Sequence, residues 1–344
     1  MRSLQITRPD DFHVHLRDLD LLNDTVNASA KHFARALVMP NLQPALTTID
    51  LVLAYRERIL AQLKSNSSFA PYMTLYLNES VLKEELAAIK HHAYILGAKL
   101  YPQGATTNSA AGAKSISALY PLFEIMQDND LVLQIHGEVT HSDIFEREAL
   151  FIKEELKPLI ENFPKLRVVL EHISTKVAVD FISDSSKLIA ATITPHHLLF
   201  NRNHMLAQGI KPHYYCLPIL KDESNQKALL KAATSGNSKF FGGTDSAPHS
   251  QNTKETSCGC AGIYSAPFAV AMYAEAFDSM GKLGALDDFL GKFGAVFYNL
   301  PINTDKIELI ERAQVIPNSM TFGNALVIPA AAGSTLKWSV NESV

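Results

Sequence analysis

His13 and His15 are separated by one apolar residue. In an extended strand their imidazoles project from the same face, because side chains alternate with a period of two. Two imidazoles on one face are half of a metal site. Asp11 stands before the pair and Arg17 after it at the same spacing, which continues the polar face beyond the histidines. A lone His-x-His also fits two surface histidines on an edge strand, so the weight falls on the rest of the chain. Far downstream, Gly243-Thr244-Asp245-Ser246-Ala247-Pro248-His249 closes another apolar run. His136 and His172 close runs of their own, in His136-Gly137-Glu138 and Glu171-His172-Ile173-Ser174. Taken singly, each reads as a hydrogen-bonded core histidine. Taken with His13, His15 and Asp245, they form a set of imidazole and carboxylate donors that suits zinc and its neighbours, with geometry selecting the ion.

Lys99, in Gly97-Ala98-Lys99-Leu100-Tyr101, is the odd member, since an ammonium has no lone pair for a metal. Its apolar neighbours place it in an interior, where desolvation and nearby cations depress a lysine pKa. A neutral amine adds carbon dioxide, and the carbamate is a bidentate anion able to bridge two metals. A lysine that snorkels or pairs with an acid is the competing reading.

These residues need a frame that gathers distant strand ends. Short apolar, β-branched runs recur at 12–16, 36–39, 73–77, 98–101, 131–136, 167–172, 188–194 and 240–244. Helical patterns lie between most of them. Residues 47–64 read as an amphipathic helix capped by Thr47, with Leu51, Ala54, Tyr55, Ile59 and Leu63 on one face. Further helical signals cover 81–91, 115–127, 142–162, 176–182 and 224–234. Eight buried strands alternating with helices fit an α/β fold of the parallel (β/α)8 TIM-barrel type. An open doubly wound sheet fits less well, because no Gly-x-Gly-x-x-Gly follows a strand. In such a barrel the chemistry lies at the carboxyl ends of the strands, where His13, His15, Asn41, Lys99, His136, His172 and Asp245 all fall. Residues past Pro301 carry no polar cluster and are expected to finish the outer helical layer, with a short tail ending in Lys337-Trp338-Ser339-Val340. Nothing marks a linker or repeat, so residues 1–344 read as one barrel domain.

Bulk composition narrows the function. With 47% hydrophobic and 19% charged residues the chain reads as a soluble globular protein, and no apolar run approaches the ~18 residues that span a membrane. The amino terminus lacks the apolar core of an export signal, which places the protein in the cytoplasm. A net charge of −4, with both signs mixed along the chain, leaves no basic footprint for nucleic acid. Cys216, Cys258 and Cys260 are too few for a disulfide framework, and Cys258-Gly259-Cys260 lacks the second pair a structural zinc site needs.

Asp11-Phe12-His13-Val14-His15-Leu16-Arg17 and Gly243-Thr244-Asp245-Ser246-Ala247-Pro248-His249, with Lys254 five residues on, resemble the two signature stretches of the free-standing, bacterial-type dihydroorotases of the amidohydrolase superfamily. The match extends through Gly97-Ala98-Lys99-Leu100-Tyr101-Pro102, Gln134-Ile135-His136-Gly137-Glu138-Val139-Thr140-His141, Ala191-Thr192-Ile193-Thr194-Pro195, Tyr215-Cys216-Leu217-Pro218-Ile219-Leu220-Lys221 and Cys258-Gly259-Cys260-Ala261-Gly262. The resemblance implies a metal-dependent hydrolase that interconverts N-carbamoyl-L-aspartate and L-dihydroorotate in pyrimidine (UMP) synthesis. It implies two Zn2+ per subunit. His13, His15, carboxylated Lys99 and Asp245 would hold one, Lys99, His136 and His172 the other, and the carboxylated lysine and a hydroxide would bridge them. Asp245 would also be the general acid and base. Arg17, Asn41 and His249 would bind the substrate carboxylate, and the backbone at Leu217 and Ala261 the ring edges. Thr106 and Thr107, in the small polar loop 103–109, would close as a lid, and a homodimer is expected.

A related cyclic amidase, an allantoinase or dihydropyrimidinase, would share the two-metal core, but Arg17, Asn41 and His249 favour an acidic substrate. A non-catalytic scaffold barrel would have lost ligands, and all six candidates are present. His196 and His197 are expected in loop or hydrogen-bonding roles. Glu138 and Glu171 read equally as acceptors that orient ligating histidines or as salt bridges across the barrel.

Overall fold

The computed structural model describes residues 2–342. A short strand, β1 (Ser3–Thr7), comes first. Then β2 (Asp10–Val14), β3 (Arg35–Val38), β4 (Ala70–Leu77), β5 (Ile95–Leu100), β6 (Val132–Ile135), β7 (Arg167–Leu170), β8 (Ile189–Ile193) and β9 (Phe240–Gly242) coincide with the eight expected runs to within a few residues. These eight lie parallel, in strict chain order. The order closes past β9, where Ser246 bridges Val14, the Asp245 amide donates to the His13 carbonyl at 2.8 Å, and the His15 amide donates to the Ser246 carbonyl at 3.1 Å. The result is the expected barrel.

Parallel strands must be covered on both faces, which is why these runs are almost uninterrupted apolar sequence. Outward side chains such as Val38, Leu75, Leu133 and Leu170 pack with Val52, Tyr55, Phe123, Ile182 and Tyr273 of the helical layer. A separate cluster of Phe12, Leu37, Val132, Val169, Ala190, Phe241 and Tyr298 fills the lower barrel. Gln134, in register with Lys99, donates to the Tyr298 hydroxyl at 3.2 Å, so a polar layer rests directly on that apolar floor.

Three expectations change. The helix expected over 47–64 runs Ile49–Ala61, and Thr48 rather than Thr47 caps it by accepting from the Leu51 amide. Its buried face is Ile49, Val52, Tyr55 and Ile59, while Leu51 points outward. The helix expected over 142–162 begins at Arg147 and passes through a wider turn at Ile152–Leu156. The largest departure is past Pro301, where strands replace the expected outer helix: β10 (Lys306–Ile310), β11 (Gln314–Val315), β12 (Met320–Phe322), β13 (Ala325–Val327), β14 (Thr335–Leu336) and β15 (Ser339–Val340). β1 pairs antiparallel with β10, and β10 with β15, forming a small sheet of both chain ends. Trp338 is fully buried beneath Arg2, which also pairs with Asp278 and Glu311.

Candidate active site

The first donor lies on β2 and the second, His15, just past its end, and simple alternation does not place them. A register shift between Asp11 and Val14 accompanies the change from floor to site. Phe12 packs on Phe241 and Tyr298, while the next residue, His13, reaches Glu171 and Asp245. Asp11 does not face the cavity; its carboxylate accepts from the Thr244 amide at 2.7 Å and the Thr244 hydroxyl at 2.6 Å, locking the two donor segments together. Arg17 also leaves the strand, which ends at Val14. It has a left-handed backbone, φ 60°, and is turned into the cavity by its own loop, not by continued alternation.

His13 Nε2, His15 Nε2 and Asp245 Oδ1 form a triangle with edges of 3.3, 3.3 and 3.2 Å. A tetrahedral ion with bonds of about 2.05 Å needs ligand–ligand edges of about 3.3 Å, so the triangle has the size for zinc. His136 Nδ1 and His172 Nε2 lie 3.2 Å apart, the same edge length. The far ring nitrogens of His15 and His136 are held from behind, whereas His172 Nδ1 is buried without a partner among the described residues. His15 Nδ1 lies 2.8 Å from Asn41 Oδ1, and His136 Nε2 lies 2.8 Å from Glu138 Oε2. Such partners fix ring orientation and tautomer and leave the opposite nitrogen for an ion. The two readings of Glu138 and Glu171 therefore divide. Glu138 backs a histidine, whereas Glu171 does both: its Oε2 lies 3.1 Å from His13 Nδ1 and also pairs with Lys99 Nζ.

Electrostatics follow from full burial of this cluster. Burial pulls the Lys99 ammonium below its ordinary value, against Glu171 and Asp245. His13 is opposed by burial, yet Glu171 and Asp245 carry it up to about 9, while burial takes His15 down to about 4. Asp245 would be raised by burial, but His13 and His15 hold it well below the carboxylate range. An ion entering the triangle must displace the His13 proton, so binding here releases protons. His172 and Asp245, just past β7 and β9, both have φ 43°. That backbone costs a non-glycine residue on the order of 1 kcal/mol or more. The His172 amide donating to Thr192 Oγ1 at 2.7 Å and the Asp245 amide on His13 hold it in place.

Of the expected residues, His13, His15, Arg17, Asn41, Thr106, Thr107, His136, His172, Leu217, Asp245 and Ala261 line one cavity. Lys99 lies fully buried behind it. His249 opens on the adjoining cleft, its Nε2 3.0 Å from Arg17 Nη2, and Arg17 Nε donates to the Pro248 carbonyl at 2.8 Å. Burial, then Arg17 and Lys254, take His249 down to about 2, so it is neutral. The loop bearing Thr106 and Thr107 lies over the cavity. Thr107 Oγ1 donates to the Ala261 carbonyl at 3.2 Å, and Asn41 Nδ2 donates to the Thr107 carbonyl at 3.3 Å. Asn41 thus touches both a candidate ligand and the loop, a double role the sequence did not suggest. Tyr101 was also missed: it lines the cavity with a buried hydroxyl that has no partner among the described residues. Its place two residues after Lys99 was the available signal. His197 is saturated by Thr194 and the Pro218 carbonyl, whereas His196 is buried with both ring nitrogens unpaired among the described residues, and the two stand near Cys216.

Comparison with known proteins agrees with this geometry. Residues 11–317 match the model of the Amidohydrolase family. A dihydroorotase of Aliivibrio fischeri (strain MJ11) is 54% identical over 342 residues, covering 99% of this chain and 100% of that one. The crystal structure of a Campylobacter jejuni dihydroorotase superposes with a TM-score of 0.91 at 34% identity, covering 99% and 98% of the two chains. A Saccharomyces cerevisiae dihydroorotase in complex with 5-fluoroorotic acid gives 0.89 at 34% identity, covering 99% of both. No helix among the described residues is long and apolar enough to cross a membrane. The chain belongs to the amidohydrolase family and, within it, to the dihydroorotases.

Proposed function

We propose that this chain cyclises N-carbamoyl-L-aspartate to L-dihydroorotate and water, reversibly, using two zinc ions and a carboxylated Lys99. The observation that carries the reading is the pairing, in one cavity, of two zinc-sized donor sets with an arginine that has no carboxylate partner among the described residues. His13, His15 and Asp245 would hold one ion and His136 and His172 the other. Lys99 Nζ, kept from water and depressed by burial, would add carbon dioxide with loss of a proton, and the carbamate would supply an anionic ligand beside both donor sets. When bound, such ions polarise a carbonyl and lower the pKa of water.

The chain's own residues do the rest. Arg17 presents a planar fork to the substrate carboxylate, with His249 and Asn41 beside it. Backbone groups at Leu217 and Ala261 read the ring edge, and the loop with Thr106 and Thr107 excludes water from above. In the hydrolytic direction a C–O bond forms at the ring amide carbon as its C–N bond breaks. The Asp245 carboxylate accepts the proton of the attacking water and delivers it to the departing nitrogen; cyclisation is the reverse. Family resemblance extends the proposal to a homodimer, which light scattering tests.

The decisive assay is turnover by purified, zinc-loaded protein. Interconversion of carbamoyl aspartate and dihydroorotate is expected, and it should disappear on chelation. A folded, zinc-loaded sample that ignores both but turns over allantoin or dihydrouracil would overturn the proposal.

A further inference from the structure

Lys254 ends the short helix Gln251–Lys254 and is 3% exposed. Among the described residues no carboxylate lies within ion-pair distance of it. Instead Nζ donates to three backbone carbonyls, of Tyr215 at 3.1 Å, Cys260 at 3.0 Å and Gly262 at 2.5 Å. All three ammonium donors are therefore occupied. These carbonyls belong to two separate segments: one continues to Leu217, and the other holds Ala261 between Cys260 and Gly262. The Tyr215 carbonyl also accepts the Gly262 amide at 3.0 Å, so Lys254 stands where the segments cross. Backbone closeness leaves the second segment little freedom. A Cβ at Gly259 would meet the Lys254 carbonyl at 2.4 Å, and one at Gly262, whose φ is +147°, would meet the Ala247 carbonyl at 2.3 Å.

Stitching two loops does not require a charge. A neutral donor avoids the desolvation that a buried ammonium suffers. The positive charges of Lys254 and Arg17, both lacking a carboxylate among the described residues, make sense if an anion arrives in the cavity that Arg17 lines. We infer that Lys254 is a positioning residue for substrate recognition: its ammonium draws segments 215–217 and 260–262 into a single ring-reading edge and leaves a positive charge for a dianionic ligand to neutralise. This rests on the dihydroorotate reading above.

The test uses zinc-loaded full-length protein and two probes. Orotate has both a ring edge and a carboxylate, and succinate has two carboxylates and no ring. Lys254→Met should weaken inhibition by orotate about 100-fold and by succinate about 10-fold, raising KM more than it lowers kcat, with zinc content unchanged. Lys254→Arg keeps the charge, but its planar fork cannot meet three converging carbonyls. It should return succinate to within about 3-fold of wild type and leave orotate at least about 10-fold weaker. Gly259→Ala, which presses the second segment off the Lys254 carbonyl, should weaken orotate and spare succinate; it keeps the test decisive where Lys254→Met does not fold. Wild-type orotate inhibition and KM in Lys254→Met, or equal losses for both probes in every variant, would overturn the inference alone. A wild-type protein that neither binds orotate nor turns over dihydroorotate overturns the functional reading, and this inference with it.

Discussion

Glu138→Ala isolates one hydrogen bond behind one of the two donor sets. The carboxylate is fully buried, its Oε2 lies 2.8 Å from His136 Nε2, and its other oxygen has no partner among the described residues, so a single contact is removed. A charge-assisted bond of this kind is worth about 1.5–3 kcal/mol, or a factor of about 10–150 in affinity. Removing the group behind a metal-binding histidine weakens binding by about 10–100-fold in other metal sites, a range that overlaps. Glu138→Gln keeps an acceptor oxygen and loses the charge, so about 3–10-fold is expected. The effect should be local. His136 Nδ1 pairs with His172, whereas the His13–His15–Asp245 triangle is backed by other residues. Competition with a chromophoric chelator, followed by metal analysis, should show one ion leaving Glu138→Ala at about 10–100-fold less chelator than wild type, and the other unchanged. Two ions held at wild-type affinity, or both weakened equally, would refute the reasoning.

Three further outcomes follow from other parts of the fold. Lys99→Ala should lose most metal and activity, and short carboxylic acids should restore part of both; two tightly held metals and full turnover in that variant would remove the carbamate from the mechanism. Asp10 is buried, receives both Arg35 Nε at 2.8 Å and Nη2 at 2.5 Å, and also Asn303 at 2.8 Å, so Asp10→Ala should cost about 3–5 kcal/mol in urea unfolding; a loss under about 1 kcal/mol would contradict this. His32 is buried with both ring nitrogens unpaired among the described residues, and burial lowers it to about 4. Between pH ~6.5 and ~4 the unfolded chain therefore binds a proton that the folded chain does not, so stability falls as pH drops through this window, by up to ~3 kcal/mol. Metal-free His32→Leu should flatten that fall, and urea midpoints at pH 7.5 and 5 that track wild type would exclude the effect.

The donors were legible because chemistry and period coincide at His13, His136, His172 and Asp245: each is a polar residue at the end of an apolar β run, and parallel strands bring such ends to one rim. What supports them was less legible, for reasons visible in particular residues. Glu138 and Glu171 each lie within two residues of a candidate ligand, and spacing alone does not say which neighbour a carboxylate turns to. Arg17 reached the cavity by a left-handed turn that alternation does not foresee. Asn41 was legible as a polar residue past β3, but its two-sided contact depends on a loop that approaches from β5. The strands past Pro301 escaped because they are only two to five residues long, and the longest of them, β10, pairs with β1 about three hundred residues away, beyond any local pattern.

The sheet of β1, β10 and β15 sets a timetable for synthesis. A ribosome adding about 5–20 residues per second finishes β10 some 15–60 s after β1. During that interval β1 is an unpaired edge, the kind of strand that invites pairing with another chain. β2, with His13 on it and His15 just past its end, also waits on one side for Ser246. The first candidate ligands to leave the ribosome are thus among the last to be fixed in place, and a nascent chain lacking its final third has no closed ring to bring the candidate donors together. Chaperone demand should therefore fall on the growing amino-terminal half.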